Sequence, residues 1–138
     1  MYTFYLETSG NKLFEITEQV EEAVKRSGVK NGIAHVFVPH TTAGISVISR
    51  MDELGFLDIE EEMNRLIPTR IDFKHQFDTP SDASGHVKSM LAGVDASFII
   101  DDAELAIGSS QGIYFFEFDG PRKRKYYVQI MSLGESDE

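Results

Sequence analysis

The chain has 138 residues, of which 41% are hydrophobic and 26% charged, as is typical of a single soluble globular domain. It contains no cysteine, which excludes disulfides, thiolate metal sites and a cysteine nucleophile. The formal net charge of −10, from 23 acidic and 13 basic side chains, argues against general nucleic-acid binding, because such affinity comes largely from basic groups that neutralise phosphates.

The N-terminal residues lack the basic start and the apolar run of a secretory signal peptide. No stretch approaches the roughly 18 to 20 apolar residues that a membrane helix needs. We therefore expect a cytoplasmic protein that has neither a membrane nor a nucleic acid as a partner.

The N-terminal half of the chain alternates between strand-like and helix-like patterns. Apolar or alternating runs predict strands at residues 3–6, 13–16, 32–38 and 44–48. Thr17 is predicted to cap a helix that Gly28 ends. A second helix is predicted at residues 57–67, where apolar side chains recur at helical spacing until Pro68 stops it.

The C-terminal half predicts one more helix and four more strands. The helix begins with Ser81 or Asp82 as its N-cap and ends at Gly93. The strands are predicted at residues 97–100, 104–107, 113–118 and 125–131. Strands and helices interleaved in this way, without repeats or an obvious linker, predict an α+β fold in a single domain that spans residues 1–138.

Three of the four histidines, His40, His75 and His86, lie in or beside the most chemically suggestive segments of the chain. A neutral imidazole is the commonest protein ligand for zinc, so three of them together would form a metal site with an open fourth position. Scattered structural histidines explain the same pattern, since four in 138 residues is ordinary usage. His35 lies mid-strand on the face opposite to the apolar one, so we leave it outside the site.

Three polar features near these histidines each have two interpretations. Lys88 follows His86 by two positions, so it faces elsewhere on the helix, towards either a substrate anion or solvent. Asp82 either caps the helix, which is the interpretation we prefer, or orients a ligating histidine through its second ring nitrogen. The basic run at residues 122–125 is either a solvated hairpin tip or an anion site in which Arg122 offers a planar fork of donors.

An ordered set of short motifs resembles the YjbQ-like family along nearly the whole chain. The motifs are His40-Thr41-Thr42-Ala43, Leu66-Ile67-Pro68, His75, Ser84-Gly85-His86-Val87-Lys88-Ser89, Leu91-Ala92-Gly93, Leu105-Ala106-Ile107-Gly108, Gln111-Gly112-Ile113 and Glu117-Phe118-Asp119-Gly120-Pro121-Arg122. Any one of these motifs is weak, but their order along the chain is that of the family.

The resemblance implies a compact α+β subunit with a mixed β-sheet, assembled as a homotrimer. It also implies a polar cleft in which His40, His75 and His86 bind a divalent metal, with zinc expected and magnesium the alternative for a diphosphate substrate. Some family members are named secondary thiamine-phosphate synthases, because they supply a weak version of that activity. The reaction joins a pyrimidine methyl diphosphate to a thiazole phosphate and releases diphosphate.

A homotrimer is also favoured by the aromatic residues of the C-terminal strands, because they alternate onto both faces of a sheet and a single core easily covers one. These residues are Phe115, Phe116, Phe118, Tyr126 and Tyr127.

Two segments depart from the family pattern. Ser49-Arg50 replaces a frequent Asn-Glu, and Gly108-Ser109-Ser110-Gln111 replaces a frequent Gly-Thr-Trp-Gln. Loss of the indole removes a wall or stacking surface, which affects the size and affinity of the substrate. The three histidines are retained, so metal binding is less affected than substrate choice.

Together these observations predict a metal-binding enzyme that acts on a small phosphorylated molecule, with weak thiamine-phosphate synthase activity. The predicted catalytic residues are His86 and Lys88, the metal ligands are His40, His75 and His86, and the substrate-binding residues are Thr41, Thr42, Lys88, Gln111 and Arg122. The alternatives are a metal-dependent hydrolase of unknown substrate and a non-enzymatic module that binds a metal or a small anion.

Overall fold

The computed structural model of the chain describes residues 1–74 and 79–134, which form eight strands and three helices. In chain order they are β1 (Tyr2–Glu7), β2 (Leu13–Glu15), α1 (Thr17–Ser27), β3 (Gly32–Phe37), β4 (Ala43–Ser49), α2 (Glu53–Leu66), α3 (Pro80–Ala92), β5 (Asp95–Asp101), β6 (Glu104–Leu105), β7 (Gln111–Glu117) and β8 (Lys123–Ser132). Each predicted strand and helix is present, with ends that differ by a few residues. None of these helices has the length and hydropathy of a membrane span.

The strands form two sheets, which we call the large and the small sheet. The large sheet has the strand order β1-β8-β3-β5-β6, and the small sheet has the order β2-β7-β4. Neighbouring strands pair antiparallel throughout the described residues. The predicted α+β class is therefore confirmed, whereas the sheet that we expected to be mixed is found as two antiparallel sheets.

The main core lies where α1 and the small sheet pack on one face of the large sheet. Alternation along β3 buries Ala34 and Val36, and helical spacing along α1 buries Val20 and Val24 against the same core. Each of these valines is at most 2% exposed and contributes about 1.5–3 kcal/mol of hydrophobic stabilisation. His35 lies on the opposite face of β3, where its Nδ1 is 2.7 Å from the Ser97 hydroxyl, so the prediction that it faces away from the apolar side is confirmed.

A second apolar cluster covers the other face of the small sheet. Its buried members are Tyr114, Phe116 and Phe118, against which Phe56 and Met63 of α2 pack. Phe115 and Tyr126 are buried in the main core instead. The premise that one core leaves these aromatics uncovered is therefore wrong for all of them except Tyr127, because the two layers of the chain cover both faces of β7. Tyr127 is half-buried and pairs with Phe37 on the outer face of the large sheet.

The helices begin at residues other than the predicted caps. Thr17 is the first residue of α1. Its hydroxyl accepts a hydrogen bond of 2.9 Å from the Ile113 amide, and this bond links α1 to β7. α2 starts earlier than predicted, because the Asp52 carboxylate accepts the amide of Gly55. α3 is capped by Thr79, ahead of the expected Ser81 or Asp82, because Pro80 suits the first helical position.

α3 packs closely on the start of β4. A Cβ atom at Gly44 would lie 2.7 Å from the Gly93 carbonyl oxygen, and one at Gly85 would lie 3.1 Å from the carbonyl oxygen of Phe118. The Ser89 hydroxyl donates to the Ala43 carbonyl at 2.6 Å. This packing fixes α3 against both β4 and the segment that leaves β7.

Candidate functional site

A buried ion pair joins the two sheets where β7 leads into β8. Arg124 donates from Nε to Glu117 Oε1 at 2.8 Å and from Nη2 to Glu117 Oε2. Glu117 is 1% exposed and Arg124 6% exposed. The interpretation of residues 122–125 as a solvated hairpin tip is therefore wrong for Arg124, because the connection crosses between sheets and carries this side chain inside.

Further donors and acceptors complete the ion pair. The Thr8 hydroxyl donates to Glu117 at 2.6 Å, and the Asp119 amide donates to the same carboxylate at 3.1 Å. Burial opposes ionisation of Glu117, but the hydrogen bonds from Arg124, Thr8 and Asp119 outweigh it and lower its pKa. Arg124 Nη2 also donates hydrogen bonds to the hydroxyl and the carbonyl oxygen of Thr42. Thr42, a predicted substrate-binding residue, therefore contacts the ion pair.

His40 completes the pairing of β3 with β8 through its side chain. Continuing the strand register would place Pro39 opposite Lys125, and proline has no amide to donate. His40 Nε2 takes that place, 3.0 Å from the carbonyl oxygen and 3.1 Å from the amide nitrogen of Lys125. Burial lowers the pKa of His40, and the positive charge of Arg124 adds to this effect, so the ring favours its neutral form.

His86 lies next to a buried carboxylate on α3. Its Nε2 lies 3.2 Å from Asp82 Oδ2, one helical turn earlier, and Asp82 is buried while His86 is about one third exposed. Since Thr79 caps the helix, the preferred capping role of Asp82 is wrong. The second interpretation, a carboxylate next to one ring nitrogen of His86, agrees with the observed contact.

Arg122 lies in the segment between β7 and β8, close to the start of α3. It donates to the Asp119 side chain at 2.7 Å and to the Asp119 carbonyl at 2.8 Å. The hydrogen bond and the charge of Asp119 raise its pKa, and the more distant charges of Glu117 and Asp82 act in the same direction. Arg122 is half exposed, so it remains accessible to an anion from solvent.

The predicted three-histidine metal site is not assembled by the described residues alone. In residues 1–74 and 79–134, no group of three histidines or acidic side chains is placed to hold a metal ion. His75 lies outside the described residues, so the site stays a prediction. The Nε2 atoms of His40 and His86 both contact other groups of the protein. A metal shared by the two rings would therefore have to bind Nδ1 of each.

A cavity of about 430 Å³ lies between α2, α3 and the small sheet, and we call it the α2–α3 cavity. Its polar lining includes Asn11, Lys12, Glu60, Asn64, Thr69, Lys88 and Glu117, and its apolar lining includes Leu13, Ile59, Met63, Pro68, Phe116 and Phe118. No side chain of α2 is fully buried, so this helix covers the small sheet loosely and leaves the cavity beneath it.

Lys88 is the most unusual group of the α2–α3 cavity. It is 5% exposed, and its ammonium donates to Asn64 Oδ1 at 2.6 Å. Among the residues that the structure describes, no carboxylate forms an ion pair with it. Burial lowers its pKa. The interpretation of Lys88 as a solvated lysine is therefore wrong.

Glu60 places a carboxylic acid group in the lining of the same cavity. Burial raises its pKa, and the positive charge of Lys12 acts in the opposite direction. Glu60 and Asn64 are one turn apart on α2 and so lie on the same side of the helix. No pattern in the sequence predicts a role for either residue, although their spacing places them next to the half-buried Ile59 and Met63 on the face of α2 that lines the cavity.

Two predicted substrate-binding residues lie elsewhere in the chain. Thr41 is exposed in the turn before β4. Gln111 begins β7, where its side chain accepts the Gly108 amide at 2.8 Å, and it is about 20 Å along the strand from Glu117. A single chain does not bring Gln111 to Lys88.

The two segments that depart from the family pattern meet at this far end of β7. Ser49 pairs with Gln111, and the Arg50 amide donates to the Ser110 carbonyl at 2.8 Å. Arg50 also donates from Nε to Glu15 at 2.9 Å. The departures therefore change one shared surface, away from the α2–α3 cavity.

Comparison with known proteins identifies relatives along nearly the whole chain. The family model described as UPF0047 protein YjbQ-like matches residues 2–133. The UPF0047 protein MJ1081 of Methanocaldococcus jannaschii is 40% identical over 132 residues, which cover 95% of this chain and 94% of that protein. The UPF0047 protein YugU of Bacillus subtilis is 33% identical over 126 residues, which cover 90% of this chain and 92% of that protein.

Solved structures have the same fold. A Clostridium acetobutylicum protein, described as an uncharacterized conserved protein of the YjbQ/UPF0047 family, superposes with a TM-score of 0.89 at 39% identity and covers 95% of this chain and 100% of its own. A Sulfolobus solfataricus protein, described as a YbjQ-like protein of unknown function, superposes with a TM-score of 0.89 at 31% identity and covers 95% of both chains.

Proposed function

Since the chain belongs to the YjbQ-like UPF0047 family, we propose that it is an enzyme whose substrate is a small phosphorylated molecule bound in the α2–α3 cavity. The observation that carries the proposal is the burial of Lys88 without an ion-pair partner in the described part of the chain. A buried ammonium is costly unless a countercharge reaches it, and a bound phosphate would supply that charge.

The rest of the cavity supports this ligand class. Lys12 adds a second cation, and Asn11, Asn64 and Thr69 offer hydrogen-bonding groups. The volume of about 430 Å³ falls in the usual range for small-molecule sites. Apolar side chains form the remaining wall, so the ligand that fits best combines an anionic group with an apolar part.

The acid–base groups of the cavity indicate how a reaction would proceed there. The raised pKa of Glu60 and the lowered pKa of Lys88 both move towards neutral pH, where general acids and bases are most effective. Lys88 and Lys12 would stabilise negative charge on a departing phosphate or diphosphate, while Glu60 transfers the proton. Thiamine-phosphate formation is one reaction of this kind, and phosphate-ester hydrolysis is another.

The test is an activity assay with matched lysine variants. We expect the parent protein to turn over either the two phosphorylated thiamine precursors or a phosphate monoester, and Lys88→Met to lower kcat/KM by about 10²-fold or more. Lys30→Met, which removes an exposed lysine remote from the cavity lining, is the control and is expected to match the parent. Equal turnover by all three proteins would refute the role of Lys88.

A second candidate function is binding of a divalent metal by His40, His75 and His86. The observation that favours it is the buried Asp82 carboxylate on the His86 ring, an arrangement that commonly orients metal-ligating histidines. When bound, such a metal supplies Lewis-acid chemistry at a phosphoryl oxygen or at water. His86 and Lys88 project from different sides of α3, so a metal centre here would be separate from Lys88 within one chain.

Zinc titration of histidine variants tests the metal proposal. We expect the parent and His35→Ala to bind zinc equally, and each of His40→Ala, His75→Ala and His86→Ala to weaken binding. Magnesium is the second metal to titrate, in the presence of diphosphate. Binding that depends on His35 and on none of the other three would show that the ligand assignment is incorrect.

We also propose that the protein is a homotrimer. The outer face of the large sheet supports this, because Tyr5, Phe37, Ile99 and Met131 expose apolar surface there that no element of the chain covers within the described residues. Light scattering at micromolar concentration is expected to give three times the chain mass of 15.5 kDa. A stable mass of one chain would contradict the proposal.

A further inference from the structure

A second cavity, of about 380 Å³, lies beside the α2–α3 cavity, and we call it the α2–β2 cavity. Its lining includes Lys12, Leu13, Glu53, Phe56, Leu57 and Glu60. We propose that the two cavities together bind one elongated ligand, a phosphate monoester of an apolar alcohol, with its phosphate at Lys88 and its chain in the α2–β2 cavity. This inference rests on the proposed function, because it takes the α2–α3 cavity to be the phosphate site.

The two cavities have three lining residues in common, which are Lys12, Leu13 and Glu60. Glu60 belongs to α2, whereas Lys12 and Leu13 lie at the start of β2, so the shared residues come from both walls. No strand or helix of the described residues stands between spaces that share both walls. A single ligand that enters the α2–α3 cavity therefore reaches the α2–β2 cavity along the side of α2.

The α2–β2 cavity offers an apolar surface that is open to solvent. Leu57 is 47% exposed, and the half-buried ring of Phe56 packs against Tyr114 with the ring centroids 5.3 Å apart. Lys12 and Glu53 are exposed at the same cavity, so they keep their charges in water while an apolar chain contacts the leucine and the phenylalanine. Burial of this surface by a ligand is favourable, because it removes apolar area from water.

Charge sets the direction in which the ligand lies. At one end, the buried ammonium of Lys88 forms no ion pair with a carboxylate of the described residues. At the other end, Glu53 and Glu60 line the α2–β2 cavity and repel an anion. Glu117 lines the α2–α3 cavity, but Arg124 neutralises its charge. The phosphate is therefore held at Lys88, and the uncharged end of the ligand lies towards Glu53.

The length of the apolar chain follows from the geometry of α2. The Lys88 ammonium is bonded to Asn64 Oδ1 at 2.6 Å, so a phosphate at Lys88 lies close to Asn64. Leu57 precedes Asn64 by two turns on the same side of the helix, which corresponds to about 10 Å along its axis. An extended chain of about eight carbon atoms spans this distance. Longer chains would project past Leu57 into solvent.

Titration calorimetry of the full-length protein with methyl, butyl, octyl and dodecyl phosphate, each below its micelle-forming concentration, tests the inference. We expect the affinity to rise about twofold for each methylene group up to octyl phosphate, which is less than full burial gives because the cavity is half open. Octyl phosphate is then bound about 10²-fold more tightly than methyl phosphate, and dodecyl phosphate no more tightly than octyl phosphate. Lys88→Met is expected to weaken all four by at least about 30-fold.

A matched pair of leucine variants locates the chain. Leu57→Asn is expected to weaken octyl phosphate about fivefold and to leave methyl phosphate unchanged, since it removes apolar contact with the chain alone. The unchanged binding of methyl phosphate also shows that this variant is folded. Leu54→Asn is the control, because Leu54 is a 70% exposed leucine of the same helix that lines neither cavity. It is expected to match the parent for both compounds.

The outcomes separate this inference from the proposed function. If methyl phosphate binds through Lys88 but the affinity does not rise with chain length, or rises equally in Leu57→Asn, the elongated ligand is wrong and the proposed function stands. A rise that continues unchanged from octyl to dodecyl phosphate would also overturn the inference, because it indicates nonspecific association of the chain with the surface. If Lys88→Met binds all four phosphates as the parent does, both proposals are wrong.

Discussion

Replacement of Arg124 by methionine is expected to lower the free energy of unfolding by about 3–5 kcal/mol, because it leaves the Glu117 carboxylate buried without its partner. Chemical denaturation of the folded protein measures the change. Arg122→Met is the matched control, two residues away. Its ion pair with Asp119 involves an arginine that is 49% exposed, so the expected loss is below about 1 kcal/mol. Similar losses in both variants would contradict this account of the buried pair.

The pH dependence of the same variants gives an independent check. In the parent, the folded-state pKa of Glu117 lies below its ordinary value of 4.5, so its stabilising contribution is present at neutral pH and is lost as the pH falls through the folded-state value. In Arg124→Met the carboxylate is buried without its guanidinium partner, which raises its pKa. Acidification from pH 7 to 5 is therefore expected to relieve part of the destabilisation caused by the substitution.

Replacement of Lys88 by methionine is expected to weaken the binding of a phosphate monoester by at least about 30-fold, since the substitution removes one partner of a buried charge pair. The same change is expected to raise the free energy of unfolding of the unliganded protein by about 1 kcal/mol, because a desolvated ammonium is replaced by an apolar chain of similar length. Titration calorimetry and chemical denaturation measure the two effects.

The opposite signs of these two effects distinguish a binding lysine from a structural one. If Lys88 serves the fold through its bond to Asn64, its replacement lowers stability and leaves anion affinity unchanged. Lys30→Met removes a lysine of the surface and is expected to change neither quantity. A loss of stability without a loss of affinity would therefore assign Lys88 to the structure and not to the site.

The secondary structure could be predicted because it depends on local patterns in the sequence. Alternation of Ala34 and Val36 marks the buried face of β3, and Gly28 ends α1 in the left-handed conformation that glycine adopts readily. The predicted cap of α3 at Ser81 or Asp82 is wrong because Thr79 is also a good N-cap residue and Pro80 fits best in the first turn of a helix.

The functional groups were harder to predict because their partners are distant in the sequence. The basic run predicts a solvated turn for Arg124, whereas its burial depends on β7 and β8 belonging to different sheets. Lys88 lies among polar residues of α3, and its burial depends on α2 lying over the small sheet, which no local pattern specifies. The motif at His40 predicts a functional residue, yet its contact with Lys125 arises from a proline that interrupts strand pairing.

A crystal structure of the protein soaked with glycerol 3-phosphate tests the central claim most directly. The proposed function requires the phosphate to lie in the α2–α3 cavity within hydrogen-bonding distance of Lys88 Nζ, roughly 2.7–2.9 Å for a charge-assisted contact. The contrary result is a phosphate bound at Arg122 on the segment between β7 and β8, with Lys88 still bonded to Asn64 and no ligand in the cavity.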